Sequence, residues 1–153
     1  MTALRLLAQR RLTETQLWAR LVRRGYPEED VRAAVDACKR DGFVDDELFA
    51  RLFVEARKKA TGDARLVAEL VRRGIDRDAA VRTVTAAEWT ESERLSRAAE
   101  KLFVTRATLS YPSAARALER LGFPAPAIYR ELRSRAQYNF ITRAPEDSVR
   151  KPA

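Results

Sequence analysis

Apolar positions along this chain return three times in one register. The stretch TGDARLVAELVRRGI, Thr61 to Ile75, has counterparts in LWARLVRRGYPEEDVRAAV from Leu17 and in SAARALERLGFPAPAIYREL from Ser113. Aligned on Gly25, Gly74 and Gly122, the copies place Leu21, Leu70 and Leu118 four residues before the glycine. Tyr26, Ile75 and Phe123 follow it directly; Val31, Ala80 and Ile128 come six later, and Val35, Val84 and Leu132 ten later. The chain is an internal repeat.

Each copy predicts one local structure. A helix runs to an arginine-rich last turn, and the glycine takes the left-handed conformation that ends it. The next apolar residue then folds back on that helix. Pro27, Asp76 and Pro124 suit the start of a second helix at once, by a preset φ or by accepting from end amides. A further helix before each pair makes a unit of three.

The predicted helices run from about 3 to 11, up to 24, and from 27 to 41; Thr13 and Gln16 form a capping box at the start of the second. Gly42-Phe43 repeats the glycine-apolar stop. The fourth helix, 48 to 59, carries Phe49, Leu52, Phe53 and Ala56 as its apolar stripe. The fifth follows the break at Thr61-Gly62-Asp63, and the sixth spans 77 to 87. The seventh, 91 to 107, buries Leu95, Ala98, Ala99 and Leu102. Ser110 and Pro112 open the eighth, and the ninth spans 125 to 136. The expected architecture is all-α, an elongated array of three tandem three-helix repeats at 1–44, 45–89 and 90–137. A disordered tail is expected over 138–153, in which Tyr138, Phe140 and Ile141 are the residues suited to dock back.

Composition agrees with helix, being rich in Ala, Leu, Arg and Glu with five glycines in 153 residues. A formal net charge of +8, nearly all from arginine, implies attraction to an anionic partner, either nucleic acid or an acidic protein. The lone Cys38 falls on the apolar face of its helix and reads as a core thiol. No apolar run approaches the ~20 residues that span a membrane, and the first residues lack a secretory apolar core, so a cytoplasmic protein is expected.

Enzyme chemistry finds no constellation. There is no histidine, and the serines lack a nucleophile elbow or partner base. Asp45 and Asp46 precede a helix, where carboxylates cap amides and complement the dipole; that reading outweighs a metal site. No glycine-rich phosphate loop is present, and no cofactor or metal is expected.

At DGFVDDELFARLFVEAR the sequence resembles the RecX family, bacterial modulators of the RecA recombinase. Gly42, Phe43, Val44, Asp45, Asp46, Phe49, Ala50, Arg57, Gly62, Arg65, Leu66, Glu69, Leu70 and Gly74 carry the resemblance. Arg10, Thr13, Gln16 and Leu17 extend it, with glutamine where the family has glutamate; it covers about residues 3 to 135. The third unit departs from the pattern at Glu119 and Leu121, which remove basicity from the eighth helix. The resemblance implies a curved array lying in the helical groove of the RecA filament on DNA. Such proteins limit filament growth, ATP turnover, strand exchange and RecA-stimulated repressor cleavage.

Candidate contacts to that filament are Arg57, Lys58, Lys59, Arg65, Arg72, Arg73, Arg23 and Arg24. The arginines in last turns also complement a helix dipole, which explains them equally well. Arg57 and Arg65 fall on the family motif; Arg65 also has Glu69 within i,i+4 reach. Trp18 and Trp89 are candidates to stack on bases, whereas Tyr26 and Phe123 read as core. A monomer is expected, with single-stranded DNA reached directly or through the filament. The alternatives are an autonomous DNA-binding helical repeat and an adaptor for an unrelated acidic protein.

Overall fold

The computed structural model describes residues 2–57 and 60–142. Nine helices occupy them: α1 (Thr2–Gln9), α2 (Glu14–Arg23), α3 (Glu28–Arg40), α4 (Asp46–Arg57), α5 (Asp63–Arg72), α6 (Arg77–Thr85), α7 (Glu91–Thr105), α8 (Tyr111–Arg120) and α9 (Ala125–Thr142). Most are too short to persist alone in water, so packing must hold them. Each group of three has its own core. Leu6, Leu12, Leu17, Leu21, Val31, Val35 and Cys38 form the first, and Leu66, Leu70, Ile75, Ala80 and Val84 lie in the second. The third gathers Leu95, Ala99, Leu118, Phe123, Ile128 and Leu132. All nine residues at the repeat positions four before, six after and ten after the glycines are buried. Cys38 is buried as expected, and loss of hydration pushes its thiol pKa up.

The helix ends follow the expected chemistry. Thr13 and Gln16 close a capping box at α2, as Thr90 and Glu93 do at α7. Gly25, Gly74 and Gly122 stand at φ of 85°, 91° and 90°. The N–H groups of Ile75 and Phe123 return to the carbonyls of Leu70 and Leu118, completing glycine-terminated stops.

Several expectations are corrected. Tyr26 is 43% exposed instead of core, its hydroxyl 2.7 Å from Thr2 Oγ1, and Phe43 is 55% exposed while Val44 takes the buried place. On α4 the inward line is Ala50 and Val54, with Phe49 and Phe53 beside it; Leu52 and Ala56 face outward. Two small residues point inward because α6 packs closely on α4. Leu102 is half-buried instead of buried. Helix α9 runs to Thr142, past the end expected at 136. The tail beyond 142, and the side chains of Tyr138, Phe140 and Ile141, lie outside the described residues.

The three groups are joined through α2, α5 and α8, which meet end to end. The carboxyl end of α8 abuts the amino end of α5: Gly62 N–H donates to the Leu121 carbonyl at 2.8 Å, and Arg65 Nη1 to the Arg120 carbonyl at 2.6 Å. A Cβ on Gly62 would collide with the Gly122 carbonyl, so only glycine permits this approach. The carboxyl end of α5 abuts the amino end of α2 in the same way, Thr13 Oγ1 donating to the Arg73 carbonyl.

Acidic first turns complete both joints. Asp46 of α4 accepts from Glu14 N–H of α2 at 2.9 Å, and Glu91 of α7 accepts from Asp63 N–H of α5 at 2.8 Å. Orphan amides at one helix start are thus satisfied by the next group. Arg94 adds a buried tie at the second joint. Only 1% exposed, it donates to the Trp89 and Thr61 carbonyls and to Asp63.

Candidate partner-binding surface

Glu69, on the inner side of α5, is 8% exposed and collects three of the candidate arginines. Arg57 reaches it from the end of α4, Nη1 to Oε2 at 2.6 Å. Arg65, one turn earlier on α5, places Nε 3.1 Å from Oε1, and Arg73, one turn later, places Nη1 3.8 Å from Oε2. For Arg65 and Arg73 helical spacing brings the pair within reach, since residues four apart share a face; Arg57 comes from another helix. Arg73 Nη1 also donates to the Glu69 carbonyl at 2.9 Å. The guanidiniums of Arg57 and Arg73 lie over the Phe53 ring, 4.3 and 4.5 Å from its centroid. Three cations around one carboxylate leave an excess of positive charge along α5, from Arg65 at its joint with α8 to Arg73 at its joint with α2, and the side chains of Arg57 and Arg65 remain 41% and 48% exposed.

The other candidates lie apart. Arg72 is exposed at the end of α5, and Arg23 and Arg24 are exposed at the end of α2. Lys58 and Lys59 lie outside the described residues. Neither tryptophan is an open platform: Trp18 packs on the first core, and Arg97 covers the Trp89 ring at 3.4 Å. Asp45 caps its own helix through Leu48 N–H, as expected, whereas Asp46 caps α2 instead of the helix it begins. Among the described residues no group of three or more His, Cys, Asp or Glu could hold a metal ion. None of the described helices is long and apolar enough to cross a membrane.

Two residues central to this geometry were not singled out as site residues from sequence. Glu69 stands midway in the run Arg65-x-x-x-Glu69-x-x-x-Arg73, which signals a hub with a cation on each side. Arg94 falls four before Ala98, on the apolar stripe of α7. A charged residue there is the signal of a buried tie.

Residues 2–38 match the family described as "RecX, first three-helix domain" and residues 45–82 match "RecX, second three-helix domain". The Regulatory protein RecX of Thermobifida fusca is 37% identical over 141 residues, covering 85% of this chain and 74% of the relative. That of Mycolicibacterium vanbaalenii is 40% identical over 100 residues, 61% of this chain and 54% of the relative; that of Mycobacterium avium is 39% identical over 77 residues, 49% of this chain and 44% of the relative. The chain thus spans about half the length of these last two. The crystal structure of RecX from Lactobacillus salivarius superposes with a TM-score of 0.75 at 17% identity, covering 89% of this chain and 93% of that one, a likeness of fold. These matches indicate no catalytic family. The helical array, its motif residues and these relatives together establish that the chain belongs to the RecX family of regulatory proteins.

Proposed function

We propose that this protein binds RecA filaments on DNA and restrains them, limiting filament extension, ATP turnover and RecA-stimulated repressor cleavage. It thereby modulates homologous recombination and the DNA-damage response. The observation that carries this reading is the arginine cluster around Glu69, which sets two motif arginines, Arg57 and Arg65, half-exposed beside a joint between helical groups. Stacked units with a long surface suit a groove along a polymer better than they suit a small-molecule pocket. The protein works as a monomer in the cytoplasm, built of repeats at 1–44, 45–89 and 90–137, and meets single-stranded DNA through the filament. Arg72, Arg73, Arg23, Arg24, Lys58 and Lys59 contribute further contacts.

The test is binding to single-stranded DNA with and without the host recombinase and ATP, alongside recombinase ATP turnover. Tight binding is expected only with recombinase, together with reduced turnover; an Arg57→Ala/Arg65→Ala variant weakens both. Equal, steeply salt-dependent binding to bare DNA with turnover unaffected would replace this reading with direct phosphate contact.

A further inference from the structure

We propose that Glu69 is a positioning residue: it holds Arg57 and Arg65 ready to receive a carboxylate from the protein partner's surface. The inference rests on the filament-binding function above and names the chemistry of its contact.

Glu69 is too buried to reach a partner itself. Its two oxygens each take one edge of a guanidinium, Arg57 Nη1 at one and Arg65 Nε at the other. Arg65 is fixed a second time by the Arg120 carbonyl, and Arg57 by the Phe53 ring beneath it. A guanidinium carries five N–H donors in a rigid fork, so Arg57, held through Nη1, keeps its Nε and Nη2 donors for a ligand, and Arg65, held through Nε and Nη1, keeps those on Nη2. Both side chains are more than two-fifths exposed. Two forks rooted on different helices are thus held at one place before any ligand arrives.

The ligand this arrangement fits is a carboxylate. The forks already close around one, and the cluster offers no aromatic face to a base because Phe53 is covered by two guanidiniums. Single-strand recognition combines a cationic track with open aromatic faces, which this cluster lacks. An acidic protein surface needs only the forks.

The sign of one substitution makes the idea testable. Glu69→Gln raises net positive charge, so simple attraction predicts tighter binding to anything anionic. Loss of positioning predicts the reverse, because both arginines must then be ordered during binding. Dissociation constants are measured for recombinase filaments on single-stranded DNA and for bare single-stranded DNA at one salt concentration. Glu69→Gln is expected to weaken filament binding about five- to tenfold without weakening bare-DNA binding. Arg57→Lys, which keeps the charge but lacks the fork, is expected to lose a similar factor. In an Arg57→Ala/Arg65→Ala background, Glu69→Gln should cause no further loss. Thermal melting confirms folding of each variant, and Arg57→Lys decides the matter if Glu69→Gln does not fold. Wild-type or tighter filament binding by either single variant overturns the proposal. Equal losses toward bare DNA assign the cluster to phosphate and overturn the carboxylate assignment. If the wild type does not bind filaments at all, the function proposed above falls first, before any variant is compared.

Discussion

Thr13 Oγ1 donates to the carbonyl of Arg73, 2.5 Å away across a separation of 60 residues. The same hydroxyl accepts from Gln16 N–H, so one side chain starts α2 and fastens it to the end of α5. Gly62 holds the corresponding place at the second joint and does the fastening with its own amide.

Thr13→Val keeps the volume and removes both bonds. It leaves the Gln16 amide and the Arg73 carbonyl without a partner at a fully buried site. A loss of about 2 kcal/mol is expected in urea unfolding, combining a lost cap with an unsatisfied carbonyl. A loss below about 0.5 kcal/mol would show that water replaces the joint freely.

Glycines at the same repeat position should differ in what they tolerate. Gly25→Ala meets nothing within 4 Å and carries only the left-handed backbone penalty, about 1 kcal/mol. Gly122→Ala carries that penalty and also drives a Cβ into Arg65, so about 2–4 kcal/mol is expected. Equal losses in chemical denaturation would argue that the second joint yields without cost.

Arg94→Ala removes the buried tie of the second joint and strands the Thr61 and Trp89 carbonyls. Its partner Asp63 keeps some water, which moderates the electrostatic part. About 3 kcal/mol is expected. Hydrogen exchange should rise first in α7, α8 and α9. Uniform exchange across all nine helices would show that the groups unfold as one.

Burial pushes the carboxyl of Asp46 above the ordinary aspartate range, opposed by the bond it accepts from Glu14 N–H. A folded-state value raised above the unfolded one means that folding favours the proton. The charged form therefore costs stability at neutral pH, and that cost is relieved as pH falls through the carboxylate range. Wild type should gain stability relative to Asp46→Asn between pH 7 and about 4. A flat difference, or loss by wild type, in urea titrations at pH 7, 5 and 4 would contradict the burial effect.

Much of this architecture was legible because helix periodicity and glycine stops are local signals. Leu21, Leu70 and Leu118 share one register in the sequence, and they are core. Tyr26 and Phe43 are exposed because the glycine fixes where the next residue begins but not what is there to cover it. The apolar period of α4 also fits a stripe of its largest residues, whereas close packing against α6 selects Ala50 and Val54. Half of the candidate site was visible in Arg65, Glu69 and Arg73, whose spacing alone makes them neighbours. The approach of Arg57 from another helix, and the joints themselves, depend on contacts between distant segments that periodicity does not encode.

The end-to-end run of α8, α5 and α2 gives the molecule a direction. Every joint sets a carboxyl end against an amino end, so the array turned end over end does not match itself. On a polymer whose own subunits all point one way, the two orientations of this protein are different complexes. If Arg57 and Arg65 are the contacts, only one orientation presents them to a given subunit face, so one molecule laid along such a polymer would mark its polarity as well as its surface.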